Sequence, residues 1–170
     1  MEATAFIAVA LVCAPQVHVA TAEALVSVES AFNPWAIGVV GGYLEHQPRG
    51  RSEALATAKA LQRAGWNFSV GLGQINVRNL ARLGLTLETA FEPCPNLAAM
   101  QAVLLDCFQR ARPPPSSTDQ IEQVALRRAL SCYYGGDFAV GYRQGYVRKV
   151  VVASADAGRA HPLAAVKDKS

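Results

Sequence analysis

Val28-Glu29-Ser30-Ala31-Phe32-Asn33-Pro34 is the stretch on which the reading of this chain turns. Upstream of it, Val17, Ala20 or Thr21, Ala24, Leu25, Val28 and Phe32 recur at helical spacing and predict one buried stripe running to the Asn33-Pro34 break. Glu29 therefore falls in the last turn of a helix, just before a proline-forced stop. Its side chain can reach into a cleft there while Val28 and Phe32 anchor the helix. By itself a Glu-Ser pair says little, because a carboxylate at a helix end is ordinarily a solvated surface group. Further motifs follow it in order: Gly71-Leu72-Gly73-Gln74-Ile75-Asn76, then Ser131-Cys132-Tyr133-Tyr134-Gly135-Gly136, then Tyr146-Val147-Arg148-Lys149-Val150.

Around these motifs the chain reads as short helices with clear stops. Ala36–Pro48, rich in Gly, Val and Tyr, is expected as a loop or a small β-hairpin. Ser52 is placed to cap a helix over Glu53–Ala64 that Gly65 ends. Gly71–Gln74 is a glycine-rich connection, and Asn76 caps Val77–Leu83, which Gly84 stops. Asn96 is the expected N-cap of a helix over Leu97–Arg110. Pro113-Pro114-Pro115-Ser116-Ser117 cannot continue that helix and marks an exposed loop. Ser117 and Gln120 fit a capping box for the next helix, through about Ser131. A last helix is expected from Tyr146 to about Ala153, leading into a polar tail over 154–170 that is expected to be disordered. The prediction is one mainly α (α+β) domain over residues 1–153.

The composition agrees. The chain has 170 residues, 51% apolar and 17% charged, which is enough for one compact domain with a real core. A net charge of +3 is far below that of a dedicated nucleic-acid binder. No apolar run reaches the roughly 18 residues needed to span a membrane. Ala3–Ala14 is apolar and Ala20-Thr21-Ala22 resembles a cleavage site, but a secretory signal opens with positive charge. Here Glu2 is acidic and the first Lys or Arg is Arg49, so Ala3–Val12 is read as the first helix of the folded domain. Four cysteines allow several pairings. With Leu97–Arg110 a helix, Cys94 just before it and Cys107 within it would lie nearly four turns apart, roughly 15–20 Å at 1.5 Å per residue, beyond disulfide reach. Either all four are buried thiols, or Cys13 pairs with Cys94 or Cys107 and Cys132 with the other. A zinc site is not expected: there is no Cys-x-x-Cys, and His18, His46 and His161 are scattered.

Taken together and in this order, the motifs resemble those of the lytic transglycosylases of the soluble, lysozyme-like superfamily. Within them the chain is similar to the peptidoglycan-cleaving subunit of type IV secretion and conjugation systems, from about Cys13 to Val150. The resemblance implies a lysozyme-like fold, a periplasmic location, no cofactor, and peptidoglycan glycan strands and other secretion components as partners. It makes Glu29 the catalytic acid/base. Gly71-Leu72-Gly73-Gln74 resembles the family's Gly-Leu-Met-Gln, with Gly73 in place of Met. Cys132-Tyr133-Tyr134-Gly135-Gly136 aligns with Ala-Tyr-Asn-Ala-Gly, with Tyr134 in place of Asn, and Tyr146 matches the Tyr that packs near the catalytic Glu.

The chemistry suits those residues. Cutting a glycosidic bond takes a proton for the leaving oxygen and stabilisation of an oxocarbenium-like centre, for which ordinary glycosidases use a pair of carboxylates. A transglycosylase needs one, because the 6-hydroxyl of the same N-acetylmuramic acid attacks C1 and forms a 1,6-anhydro end. That carboxylate must have a raised pKa, which apolar burial supplies. Gln74 offers donor and acceptor to sugar hydroxyls or acetamides; Tyr133 would contact sugar or orient the acid; Tyr134 would stack on a sugar face; Ser69 is a further contact candidate. Trp35 and Trp66 are read as packing residues, with groove lining as the alternative. A goose-type lysozyme would need a second carboxylate, for which Glu45, Glu53 and Asp137 are available, though no motif singles one out. A non-catalytic glycan-binding assembly subunit is the third reading, and the intact Glu29 argues against it.

Overall fold

The computed structural model describes residues 1–111 and 119–160. Its chain opens with Ala3–Cys13 (α1) and Val19–Ser30 (α2). The apolar N-terminal stretch is thus the first helix of the domain, with Phe6 fully buried and Ala10 nearly so, one turn apart on the inner face. Helix α2 buries Ala22, Ala24, Leu25 and Val26 and stops at Ser30, short of the Asn33-Pro34 break. Ala31 (φ 49°) and Phe32 (φ 60°) take left-handed backbone, at about 1–2 kcal/mol for each non-glycine residue. That bend swings Phe32 back onto Phe6, edge to face with ring centroids 5.2 Å apart. Asn33 Oδ1 then accepts from the Trp35 N–H and holds the turn.

A small antiparallel sheet follows, in the order β1 (Ile37–Val39), β2 (Phe68–Val70), β3 (Ile75–Asn76). Strand β1 lies in the stretch read as loop or hairpin, but its partner is β2, across the intervening helix α3 (Arg51–Arg63). Its outer edge is covered by Gln47, whose amide bonds both the N–H and the C=O of Ile37 at 2.8 and 2.9 Å, as a neighbouring strand would. Helix α3 starts with Gly50 at its N-cap, where Ser52 was expected. In place of a continuous helix after Asn76 come two 3-10 turns, Val77–Asn79 and Ala81–Leu83, capped by the Asn76 side chain and ended by Gly84 at φ 68°.

The second half is helical: Leu87–Ala90 (α4), Pro93–Ala111 (α5), Asp119–Gly135 (α6), Val140–Arg143 (α7) and Tyr146–Ala160 (α8). Helix α5 begins at Pro93, ahead of the Asn96 cap expected from the sequence. Pro93 and Pro95 sit in its first turn, where a missing N–H costs nothing, and Asn96 turns inward instead. Leu97, Met100, Leu104 and Cys107 form the buried stripe of α5, which packs on α1 and α6, while α2 packs on α8. Cys13–Cys94 ties α1 to α5 and Cys107–Cys132 ties α5 to α6, one of the pairings the sequence left open. Helix α6 runs past Ser131 and carries Tyr133 and Tyr134; α8 runs past Ala153 to Ala160, which moves the start of any tail beyond residue 153. The Pro113–Ser117 loop, the Ser117 end of the capping box and residues 161–170 lie outside the described residues. Among the described residues no helix is long and apolar enough to cross a membrane.

Candidate active site

Glu29, in the last turn of α2, is half-buried and lines a cleft of about 280 Å³. Tyr146, buried at the start of α8, donates its hydroxyl to Glu29 Oε1. Burial pushes the Glu29 carboxyl from 4.5 up to about 7, and the Tyr146 hydrogen bond pulls the other way. Tyr146 itself is held far above its ordinary value, by burial first and the Glu29 charge next, so it stays a donor. Tyr134 stacks on Tyr146 with centroids 4.5 Å apart and 23° between planes, and its outer part stays exposed at the cleft.

The sheet supplies the facing wall. Directly paired residues of antiparallel strands point to the same side. The row Ile37–Val70–Ile75 enters the core, and the adjoining row Gly38–Ser69–Asn76 faces the cleft. Ser69 is therefore a cleft residue.

The Gly71–Gln74 turn is built from both sides. Gly71 has φ +77°, and a Cβ there would fall 2.2 Å from Asn96 Nδ2. A Cβ on Gly73 would fall 2.9 Å from the Met100 Cβ and 3.0 Å from the Tyr133 hydroxyl. That close approach is why glycine stands there. The Gly73 N–H donates to Asn96 Oδ1 at 2.7 Å, and Tyr133 donates its hydroxyl to the Gly73 carbonyl. Asn96 is fully buried and also donates to the Val70 and Ala90 carbonyls at 3.0 and 2.7 Å. Each of its polar groups is thereby satisfied. Gln74, at φ 48°, donates Nε2 to the Ala36 and Gly71 carbonyls at 3.1 and 2.9 Å. Both amide protons are spent on the turn, so only Oε1, over Gly38, is left to meet a ligand. The donor half of the dual role expected for Gln74 is thereby taken up by the turn itself.

Among the described residues, the non-glycine ones in left-handed backbone are Ala31, Phe32 and Gln74, and all of them border Glu29 or the cleft. Such strain persists where the surroundings impose it, commonly at functional sites.

The structure brings Glu29, Gln74, Tyr133, Ser69 and Tyr134 to one cleft, with Tyr146 behind Glu29. Glu29 is the one carboxylate that lines the cleft among the described residues. Glu53 is held by the Arg49 N–H and by His46, which lowers its pKa, and Asp137 caps α7 through the Ala139 and Val140 N–H groups. Glu45 is exposed and lies off the cleft. Sequence reasoning missed Asn79 and Val103 as cleft residues and Asn96 as the clamp on Gly73; none of them has a local signal. Trp35 packs against the core as read, but Trp66 is 49% exposed, which corrects its reading as a packing residue.

The transglycosylase SLT domain matches residues 8–151. The chain belongs to this family. It is 48% identical over 156 residues to the type IV secretion system protein virB1 of Brucella abortus, covering 89% of this chain and 64% of that protein. It is 39% identical over 148 residues to protein virB1 of Rhizobium radiobacter, covering 86% and 59% respectively. To protein virB1 of Agrobacterium fabrum it is 40% identical over 146 residues, covering 84% and 56%. The chain thus spans under two thirds of the length of these curated relatives. No solved structure matches it significantly.

Proposed function

We propose that this SLT domain is a peptidoglycan lytic transglycosylase. It would cleave the β-1,4 bond between N-acetylmuramic acid and N-acetylglucosamine, leave 1,6-anhydro-muramic ends, and act in the periplasm to open the wall locally for a type IV secretion or conjugation channel. The observation that carries this reading is Glu29, the one carboxylate lining the cleft among the described residues, whose burial raises its pKa to about 7. At that value both its forms are populated at neutral pH, as a group that acts first as acid and then as base requires.

In the first step Glu29 gives its proton to the glycosidic oxygen, and the C1–O bond breaks as the N-acetylglucosamine hydroxyl leaves. The positive charge at C1 is met by the substrate's own 2-acetamido group. In the second step the Glu29 carboxylate takes the proton of the muramic 6-hydroxyl, and O6 bonds to C1. Glu29 ends protonated, as it began, and no water is consumed. Tyr146 donates to Oε1, which leaves Oε2 to carry the reacting proton and favours the carboxylate once it forms. Gln74 Oε1, Ser69 and Asn76 offer polar contacts to the sugar, and Tyr134 offers a ring face.

Hydrolysis by the same Glu would need a second group to activate water, and the acids considered for it are exposed or engaged away from the cleft. The test is clearing of a peptidoglycan suspension by the purified domain. Wild type should clear it, while Glu29→Gln and Glu29→Ala should fold and lose at least about a thousandfold of the rate, on the scale of a general acid together with its positioning. A Glu29→Gln variant that clears at the wild-type rate would remove Glu29 from the mechanism.

A further inference from the structure

Trp66 is half-exposed although its backbone is firmly placed. Its N–H donates to the Leu61 carbonyl just past α3, beside Gly65 at φ +76°. The next residue, Asn67, accepts through its carbonyl from the Val40 N–H at 2.9 Å. Val40 lines the Glu29 cleft and is itself 56% exposed. The Trp66 ring lies against Gly42: a Cβ built on that glycine would meet the ring at 3.6 Å and Val39, another cleft residue, at 3.4 Å. Glycine at position 42 puts no side chain against the ring. Tyr43, the next residue, is 88% exposed. Apolar surface therefore runs from the cleft wall at Val39 and Val40 past Gly42 to the half-exposed ring of Trp66, and the exposed Tyr43 follows Gly42 in the chain.

Exposed aromatic surface of this kind marks a binding site when it is contiguous and adjoins one already formed. What leaves the cleft at this edge must be an extension of whatever fills it. Pyranose rings present an apolar face of C–H groups and a rim of hydroxyls, which suits a half-exposed indole rather than a closed pocket.

We infer that Trp66, with the exposed Tyr43 contributing from the residue after Gly42, is a stacking platform for a distal sugar of the β-1,4-linked glycan strand whose scissile bond lies at Glu29. This rests on the glycan reading of the cleft and adds to it a preference for long strands. Trp66 would bind substrate without touching the reacting atoms.

The experiment is a titration of the intact, disulfide-bonded domain with chitotriose and chitohexaose, which share the β-1,4-linked N-acetylhexosamine backbone, followed by calorimetry and by tryptophan fluorescence in a Trp35→Phe background. Wild type should bind the hexamer more tightly than the trimer, with a fluorescence change at Trp66 on hexamer binding only. Trp66→Ala should weaken hexamer binding about tenfold, the scale of one lost aromatic contact, and leave trimer binding unchanged. Tyr43→Ala, at a site too exposed to disturb folding, should act in the same direction. Hexamer affinity unchanged in both variants would overturn the platform while leaving the glycan cleft in place. Failure of the wild type to bind either sugar would overturn the glycan reading of the cleft and the platform with it.

Discussion

Replacing Glu29 by Gln should remove a pH dependence of stability that the wild-type domain carries. At pH 4 the carboxyl is protonated in the folded and unfolded chains alike, and its burial costs little. As pH rises past 4.5 the unfolded chain releases this proton, whereas the folded site keeps it until about 7. Through that window the folded state binds more protons, so stability falls as pH rises. From 4.5 to about 7, at about 1.4 kcal/mol per pKa unit, the loss approaches about 3 kcal/mol and is complete by about pH 8. Gln is nearly isosteric, cannot ionise, and can still accept from Tyr146 through its carbonyl oxygen. Exposed acids such as Glu88, whose pKa Lys59 pulls down to about 2, impose the opposite trend on both proteins. The difference between the two proteins therefore isolates Glu29. Urea unfolding of wild type and Glu29→Gln, disulfides intact, should show their stability gap widening in favour of Gln by about 3 kcal/mol between pH 4.5 and pH 8. A gap that stays flat across that range would refute the raised pKa and the acid role built on it.

Other expectations follow from the same contacts. Tyr146→Phe removes the donor that favours the Glu29 carboxylate, so the basic limb of the pH–rate profile should move upward by about one unit while maximal turnover falls; a downward shift would contradict the bond's direction. Asn96→Ala leaves the buried Gly73 N–H without its acceptor and should cost about 3 kcal/mol in urea unfolding, with turnover lost as the turn loosens. Replacing the Cys13–Cys94 pair by Ala should cost more stability than replacing Cys107–Cys132, because their sequence separations are 81 and 25. By loop-closure entropy the losses are about 4.5 and about 3.5 kcal/mol, and equal losses in thermal unfolding would argue against that account.

Much of the site was legible in the chain because its motifs are local. Glu29 before a helix stop, a glycine turn and a Tyr-Tyr helix end can each be read within a few residues. What escaped depends on partners far away in sequence. The stop of α2 at Ser30 is fixed by Phe32 packing on Phe6, and β1 pairs with a strand beyond α3. Asn96 looked like a cap because Asn favours helix starts, yet the unpaired Gly73 N–H was a stronger claim on its side chain. Gln74 read as both donor and acceptor to sugar because nothing local shows that the Ala36 and Gly71 carbonyls take both its protons. Trp66 read as a packing residue because an indole usually buries most of its surface, and only the folded chain shows its ring half-exposed beside Gly42.

The most direct test of the account is the chemistry of the ends it makes. Purified peptidoglycan digested with this domain and analysed by mass spectrometry should yield muropeptides carrying 1,6-anhydro-muramic ends, one water lighter than hydrolysis products, and none with Glu29→Gln. Reducing ends in their place would make the enzyme a hydrolase and contradict the single-carboxylate mechanism.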